Sequence, residues 1–120
     1  MTTLVAQFNR SAEKSPEQIA IIFQDQRIEY GRLLEAVKRL AQGLRSIGIQ
    51  KGDRVAILLP NIPHFPISYY AIMELGAIVV PINIFLSAKE IEYYLKDSGC
   101  KAMIVWEGFR NQATQAVEHV

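Results

Sequence analysis

The sequence contains a single cysteine, Cys100, so no disulfide can form within the chain. Its stability must come from packed apolar side chains, which is typical of proteins in a reducing compartment. The first residues, Met1 to Gln7, also lack the basic stretch and apolar run of a secretory leader. These observations predict a cytoplasmic protein.

An excess of charge of one sign is also missing. The chain has 13 Lys+Arg against 12 Asp+Glu, and the basic residues are scattered among acidic ones. A nucleic-acid-binding protein needs a basic face to displace counterions from phosphates, so no nucleic-acid partner is expected. Hydrophobic residues make up 50% of the chain and charged residues 21%, which is typical of a folded globular protein.

The sequence has no uninterrupted apolar run that could cross a membrane. Residues 55–73 contain no Asp, Glu, Lys or Arg, but Pro60, Pro63 and Pro66 interrupt them. Prolines in the middle of a bilayer helix of about 20 residues would break its hydrogen bonding. We therefore expect a buried strand, a turn and a buried helix here, and no transmembrane segment.

A chain of 120 residues suffices for one domain with a core. Apolar residues at helical spacing predict a first helix that ends at Ser15-Pro16. The β-branched run Ile19 to Phe23 and the alternating segment Arg27 to Tyr30, with a turn at Asp25-Gln26, predict a β-hairpin.

The rest of the chain alternates helices with apolar strands. Ser87 and Glu90 form a capping-box pattern, and glycines stand where helices should end. This alternation predicts an α/β fold in which β-α-β-α-β-α units build a parallel sheet. The predicted elements are a helix from Tyr30 to Gly48, a strand from Arg54 to Leu59, a helix from Pro63 or His64 to Leu75, a strand from Ala77 to Ile82, a helix from Ala88 to Ser98, a strand from Ala102 to Trp106 and a helix from Gly108 to Val120.

Open parallel sheets bind ligands at the carboxyl ends of their strands, here the loops after Leu59, Val80 and Trp106. None of the seven glycines belongs to a G-x-G-x-x-G or G-K-[ST] phosphate loop. No catalytic, cofactor-binding or metal-binding residue is therefore predicted within this chain.

Individual polar residues have structural explanations. Asn61 could contact a ligand, but we expect it to cap the following helix. His64 and His119 lack companions at metal-ligand spacing, so a zinc site is not expected, and His64 is predicted to start a helix. Cys100 is predicted to be an inert, buried or half-buried thiol.

Two pairs of adjacent tyrosines lie on predicted helices, Tyr69-Tyr70 and Tyr93-Tyr94. Adjacent residues point to different sides of a helix, so one ring of each pair is expected to pack inward with its hydroxyl reaching solvent. These aromatics need not indicate a substrate pocket.

The chain resembles the opening of the adenylate-forming superfamily, most closely in the style of bacterial long-chain fatty-acid–CoA ligases. The short motifs occur in matching order and spacing over almost the whole chain. One departure is Arg32, which replaces a more usual acidic residue before Leu33. The matching segments are Tyr30 to Leu34, the helix to Gly48, Gly52 to Ala56, Leu59-Pro60-Asn61, Phe65, Tyr70-Ala71, Gly76-Ala77, Val80 to Asn83 and Glu90 to Tyr93.

This resemblance implies a parent enzyme that activates a small-molecule carboxylic acid as an acyl-adenylate, using ATP and Mg²⁺, and transfers the acyl group to CoA. Residues 1–120 would form part of its large N-terminal AMP-binding domain, with the rest of that domain and the C-terminal domain absent. The family's phosphate loop, ribose-binding aspartate and catalytic lysine would lie beyond this segment. The resemblance therefore implies that the 120 residues alone are inactive.

Two other functions remain open at this stage. The chain could be part of an amino-acid-activating adenylation domain of peptide synthesis, or a free-standing α/β interaction module. A sheet of three parallel strands would leave an unpaired edge and an apolar face. We therefore expect the chain alone to self-associate, most simply as a two-fold homodimer.

Overall fold

The computed structural model describes residues 4–118, and it describes side chains from residue 7 onward. The described elements follow the predicted order closely. They are α1 (Leu4–Lys14), β1 (Ile19–Phe23), β2 (Gln26–Glu29), α2 (Tyr30–Ser46), β3 (Arg54–Leu58), α3 (His64–Glu74), β4 (Ile78–Pro81), α4 (Ala88–Ser98), β5 (Ala102–Val105), a short 3₁₀ helix (Glu107–Phe109) and α5 (Arg110–Val117).

The predicted parallel sheet is confirmed, with strand order β4-β3-β5. β3 pairs in parallel with both neighbours, so that Ala56 lies between Val80 of β4 and Met103 of β5. The residues from Val55 to Leu58 are all buried. Their unbroken apolar run is explained by burial on both faces of the sheet.

Helices cover the sheet on both sides and build two apolar clusters. Val55 and Ile57 belong to the cluster formed with α1, α2 and α3. The neighbouring residues Ala56 and Leu58 belong to the cluster formed with α4 and α5. This division follows from the alternation of side chains along a strand.

The hairpin is confirmed, but the predicted position of its turn is wrong by one residue. β2 begins at Gln26, so the two turn residues are Gln24 and Asp25. Gln24 has a φ of 53°. A two-residue hairpin turn requires such left-handed backbone, and this residue adopts it although it is not a glycine.

The last predicted helix, Gly108 to Val120, begins later than expected. Glu107–Phe109 form one 3₁₀ turn, and α5 follows from Arg110. The Trp106 ring lies so close to Gly108 that an added Cβ would overlap a ring carbon, Cζ3. Trp106 also meets Phe109 edge to face, with ring centroids 5.2 Å apart. The predicted end of this helix lies partly outside the described residues.

Among the residues that the structure describes, no helix has the length and apolar character that a membrane crossing requires.

Candidate functional site: the carboxyl edge of the sheet

The three parallel strands end at one edge of the sheet, where ligands bind in related architectures. The loop after β3 begins at Leu59, the loop after β4 at Ile82 and the segment after β5 at Trp106. Because the strands are parallel and in register, these three segments lie at the same edge. This edge is the candidate functional site of the described chain.

The loop after β3 presents an amide side chain that does not cap a helix. Asn61 is exposed, and the residue before α3 is Pro63, with no side-chain cap. The prediction that Asn61 caps the helix is therefore wrong. A tight turn, in which Ile62 N donates to Pro60 O over 2.8 Å, turns the chain into α3 instead. Asn61 is consequently placed at the strand edge as an exposed hydrogen-bonding group.

His64 occupies the helix start that the sequence predicts. It is the first residue of α3, and it is exposed. No group of three or more His, Cys, Asp or Glu residues within residues 7–118 could hold a metal ion. His119 lies outside the described residues.

The loop after β4 is fixed by its own side chains. Asn83 Oδ1 accepts a hydrogen bond from Phe85 N over 2.9 Å. Ser87 Oγ accepts from Glu90 N, and Glu90 Oε1 accepts from Ser87 N over 3.1 Å, so the predicted capping box is confirmed. The hydrogen bonds from the Ser87 backbone and hydroxyl lower the pKa of Glu90 below its ordinary value.

A groove of about 460 Å³ opens beside the end of β5. Met103 and Val105 of β5 form part of its wall, and Ala113 and Val117 of α5 also line it. Glu107 and Arg110 place one carboxylate and one guanidinium on its lining. The groove is therefore mainly an apolar surface with a few charges, which suits docking of a chain segment better than proton-transfer chemistry.

The opposite, amino-terminal edge of the sheet holds a cluster of polar side chains. Asp53 Oδ2 accepts from Gln50 N over 2.7 Å and from Lys101 Nζ over 3.2 Å. The Gln50 hydrogen bond lowers the pKa of Asp53 below its ordinary value, with a further contribution from Lys101, while desolvation partly offsets both. Arg54 Nη1 donates to Ser98 O over 2.6 Å. This cluster ties the segments before β3 and β5 together and has a structural role.

The glycine conformations bear on whether the described residues fit a bound nucleotide. Left-handed glycines, which help to form phosphate-binding nests, are found here at Gly48, Gly52, Gly76 and Gly99. All four precede a strand, at the edge opposite the candidate site. At the carboxyl edge the Trp106 ring lies over Gly108. The left-handed glycines of the described residues therefore lie away from the edge where a ligand would be expected.

The thiol and the tyrosine pairs lie outside any cluster of reactive side chains. Cys100 is half-buried, as predicted, with Sγ 3.1 Å from Ser98 Oγ. Tyr70 packs inward, but Tyr93 and Tyr94 are 64% and 48% exposed, so the prediction that one ring of that pair packs inward is wrong. Ile91 and Leu95 occupy the inward face of α4 instead.

Some structural contacts had no signal in the sequence. Phe8 of α1 stacks on Tyr70 of α3, and Asn9 Nδ2 donates to Glu74 Oε2 over 3.2 Å. Lys101 Nζ donates to Gly48 O over 2.8 Å as well as to Asp53. Each contact joins residues at least 48 positions apart, and periodicity reports only local neighbours.

The family comparison gives one match across nearly the whole chain. Residues 8–120 match the family model described as AMP-binding enzyme. A long-chain-fatty-acid–CoA ligase from Bacillus subtilis (strain 168) is 38% identical over 102 residues, which are 85% of this chain and 18% of that protein. The chain spans about a fifth of the length of the curated relatives it matches.

Solved structures give the same fold. The inhibitor-bound N-terminal domain of FACL13 from Mycobacterium tuberculosis matches with a TM-score of 0.89 and 34% identity, over 95% of this chain and 29% of that one. An artificially fused adenylation–PCP di-domain NRPS from Klebsiella oxytoca matches with a TM-score of 0.84 and 30% identity, over 88% of this chain and 20% of that one.

Proposed function

Since the chain belongs to the AMP-binding enzyme family, we propose that residues 1–120 form part of the large N-terminal domain of an ATP-dependent acyl-CoA ligase. The observation that carries the proposal is the match to long-chain-fatty-acid–CoA ligases over 85% to 97% of the chain. The parent activates a carboxylic acid, with a fatty acid as the preferred substrate. ATP supplies the adenylyl group with loss of pyrophosphate, and the acyl group then passes to the thiol of CoA with release of AMP.

The described residues contribute a scaffold to this enzyme. Their carboxyl edge offers an exposed Asn61 and an apolar groove, but residues 7–118 hold no phosphate nest there and no metal cluster. The groups that bind ATP, Mg²⁺ and CoA are therefore assigned to other parts of the parent. The 120-residue chain alone neither adenylates acids nor binds ATP tightly.

Pyrophosphate exchange with the purified chain tests its inactivity. Fatty and aromatic acids are offered with ATP and Mg²⁺, and a heat-treated sample sets the background. Exchange at background level is expected. Exchange above background would place catalytic groups within residues 1–120 and contradict this assignment.

The substrate class is tested on the parent enzyme. Fatty acids with CoA should give much higher kcat/KM than amino acids with a carrier-protein thiol. The match to the Klebsiella di-domain supports the second candidate, an amino-acid-activating adenylation domain. A preference for amino acids would select that candidate.

We also propose a cytoplasmic location, supported by the half-buried, lone Cys100, which suits a reducing compartment.

The chain alone is proposed to self-associate as a homodimer, because its sheet has two edges without a strand partner among residues 4–118. A monomer at high protein concentration would instead favour a free-standing module that is complete by itself.

A further inference from the structure

β5 is an outer strand with backbone groups available for pairing. Trp106 N, directly after β5, donates to Leu58 O over 3.1 Å, in the direction of β3. Successive residues of a strand point their backbone groups to alternate sides, so the amides of Ile104 and Ala102 also face β3, whereas those of Met103 and Val105 point away from it. No strand pairs with that side within the described residues. All four residues of β5 are half-buried, whereas their partners from Val55 to Leu58 on β3 are buried.

The other outer strand, β4, is less able to accept a partner. Ile78 N donates to Asp53 O and Ile82 N donates to Ile57 O, both toward β3. The outward positions of β4 are therefore Val79 and Pro81. Pro81 has no N–H, and a proline at this position is a common protection of an edge strand. β5 has neither a proline nor a charge within it.

A continuous apolar trough runs along β5. The groove of about 460 Å³ at its carboxyl end and a second groove of about 370 Å³ at its amino end share Met103 and Val117. Trp106 lines the first groove, and Cys100 and Lys101 line the second. Trp106 and Val117 are exposed large apolar side chains. The strand edge and the apolar surface that would flank an added strand thus coincide.

We propose that the chain forms a two-fold dimer in which β5 pairs antiparallel with β5 of a second copy. This inference rests on the proposed self-association and identifies the surface through which the two copies bind each other. Lys101 precedes β5 and Glu107 follows it. Antiparallel pairing brings Lys101 of each copy toward Glu107 of the other, whereas parallel pairing would align like charges. The Lys101 ammonium donates to Gly48 and Asp53 and keeps a third hydrogen for this contact.

Sedimentation across a dilution series tests this surface with two matched variants. Val117→Lys places a charge in the trough, at a position that is 45% exposed and so tolerates the change in the monomer. Ile22→Lys makes a similar change on β1, at a position that is 69% exposed and outside the trough. Val117→Lys should raise the dimer dissociation constant by roughly tenfold or more. Ile22→Lys should change it less than about twofold, since it lies outside the interface.

Hydrogen exchange on the unmodified chain gives a second readout. The amides of Met103 and Val105 should exchange slowly at high protein concentration and quickly on dilution, while the outward amide of Val79 exchanges quickly at all concentrations. A monomer at all concentrations overturns the self-association itself. A dimer whose dissociation constant is unchanged by Val117→Lys overturns only the assignment of β5 as the dimer surface. Protection of the Val79 amide in place of the β5 amides has the same consequence. Protection of the amides of Met103 and Val105 that does not change on dilution would show that the chain covers its own strand edge and would also overturn the proposal.

Discussion

The rings of Phe8 in α1 and Tyr70 in α3 stack with centroids 4.3 Å apart and an interplanar angle of 13°. Phe8 is only 6% exposed and belongs to the larger apolar cluster of the chain. The first helix, separated from the parallel sheet by the 39 residues 15–53, is thereby fixed to the helix between β3 and β4. Phe8 is thus a core residue that links the amino-terminal helix to the parallel sheet.

Replacing Phe8 with alanine should lower the free energy of unfolding by about 3 to 5 kcal/mol, because it removes a buried ring and leaves a cavity. Urea unfolding followed by circular dichroism measures the change. Phe85→Ala is the matched control, since Phe85 is 88% exposed and its loss should cost less than about 0.5 kcal/mol. Equal losses in the two variants would contradict the packing described for α1.

Gly108→Ala should displace the indole of Trp106, because the new methyl group would overlap the ring. Trp106 is the one tryptophan of the chain, so its fluorescence emission reports the displacement directly. Gly43→Ala is the control, as an added Cβ meets no atom within 4 Å at that helical position. That variant should leave the emission unchanged and add roughly 0.5 to 1 kcal/mol of stability. An unchanged spectrum for Gly108→Ala would refute the close contact.

The capping box of α4 should make a measurable contribution to stability. Ser87→Ala removes the hydroxyl that accepts from Glu90 N and should cost about 1 kcal/mol. Ser46→Ala is a control at the end of α2, where the hydroxyl donates to Gly43 O and caps no amide. Comparable costs for the two serines would argue against a specific cap at Ser87.

The lowered pKa of Glu90 predicts how this cap depends on pH. The pKa of the Glu90 carboxyl group is lower in the folded state than in the unfolded state. The stability that the ionised carboxylate contributes is therefore complete above the unfolded-state pKa, near 4.5. It declines as the pH falls and is lost below the folded-state pKa. Glu90→Gln should therefore be less stable than the unmodified chain at pH 7, and this difference should shrink in acid. A difference that is constant from pH 7 to pH 3 would contradict the ionised cap.

Asp53 should show the same sign of pH dependence at the other edge of the sheet. Its pKa is lowered from 3.8, mainly by the hydrogen bond from Gln50 N and also by Lys101. Asp53→Asn should lower the urea midpoint at pH 7, with the loss disappearing as the pH falls through the folded-state pKa. Asp25→Asn, in the hairpin turn, serves as an exposed control. A deficit that persists unchanged in acid would show that the charge of Asp53 is not what stabilises this turn.

The sequence alone determined the order and type of the described α-helices and strands, although not the 3₁₀ turn at Glu107–Phe109. The wholly apolar run of β3 indicated burial on both faces, and Ser87 with Glu90 indicated the start of α4. These features are local, because strand alternation, helical spacing and capping act between residues a few positions apart. The motifs that resemble adenylate-forming enzymes were equally readable, and the family match over residues 8–120 confirmed them.

Only the tertiary structure decided which local possibilities were used. Asn61 had the chemistry of a helix cap, but the turn through Pro60 to Ile62 left it exposed at the edge of the sheet. Tyr93 and Tyr94 both remained outside because Ile91 and Leu95 filled the inward face of α4. The pairing of Asp53 with Lys101 and the stacking of Phe8 on Tyr70 join distant parts of the chain. Such contacts depend on how the helices and strands pack together, which local sequence patterns do not specify.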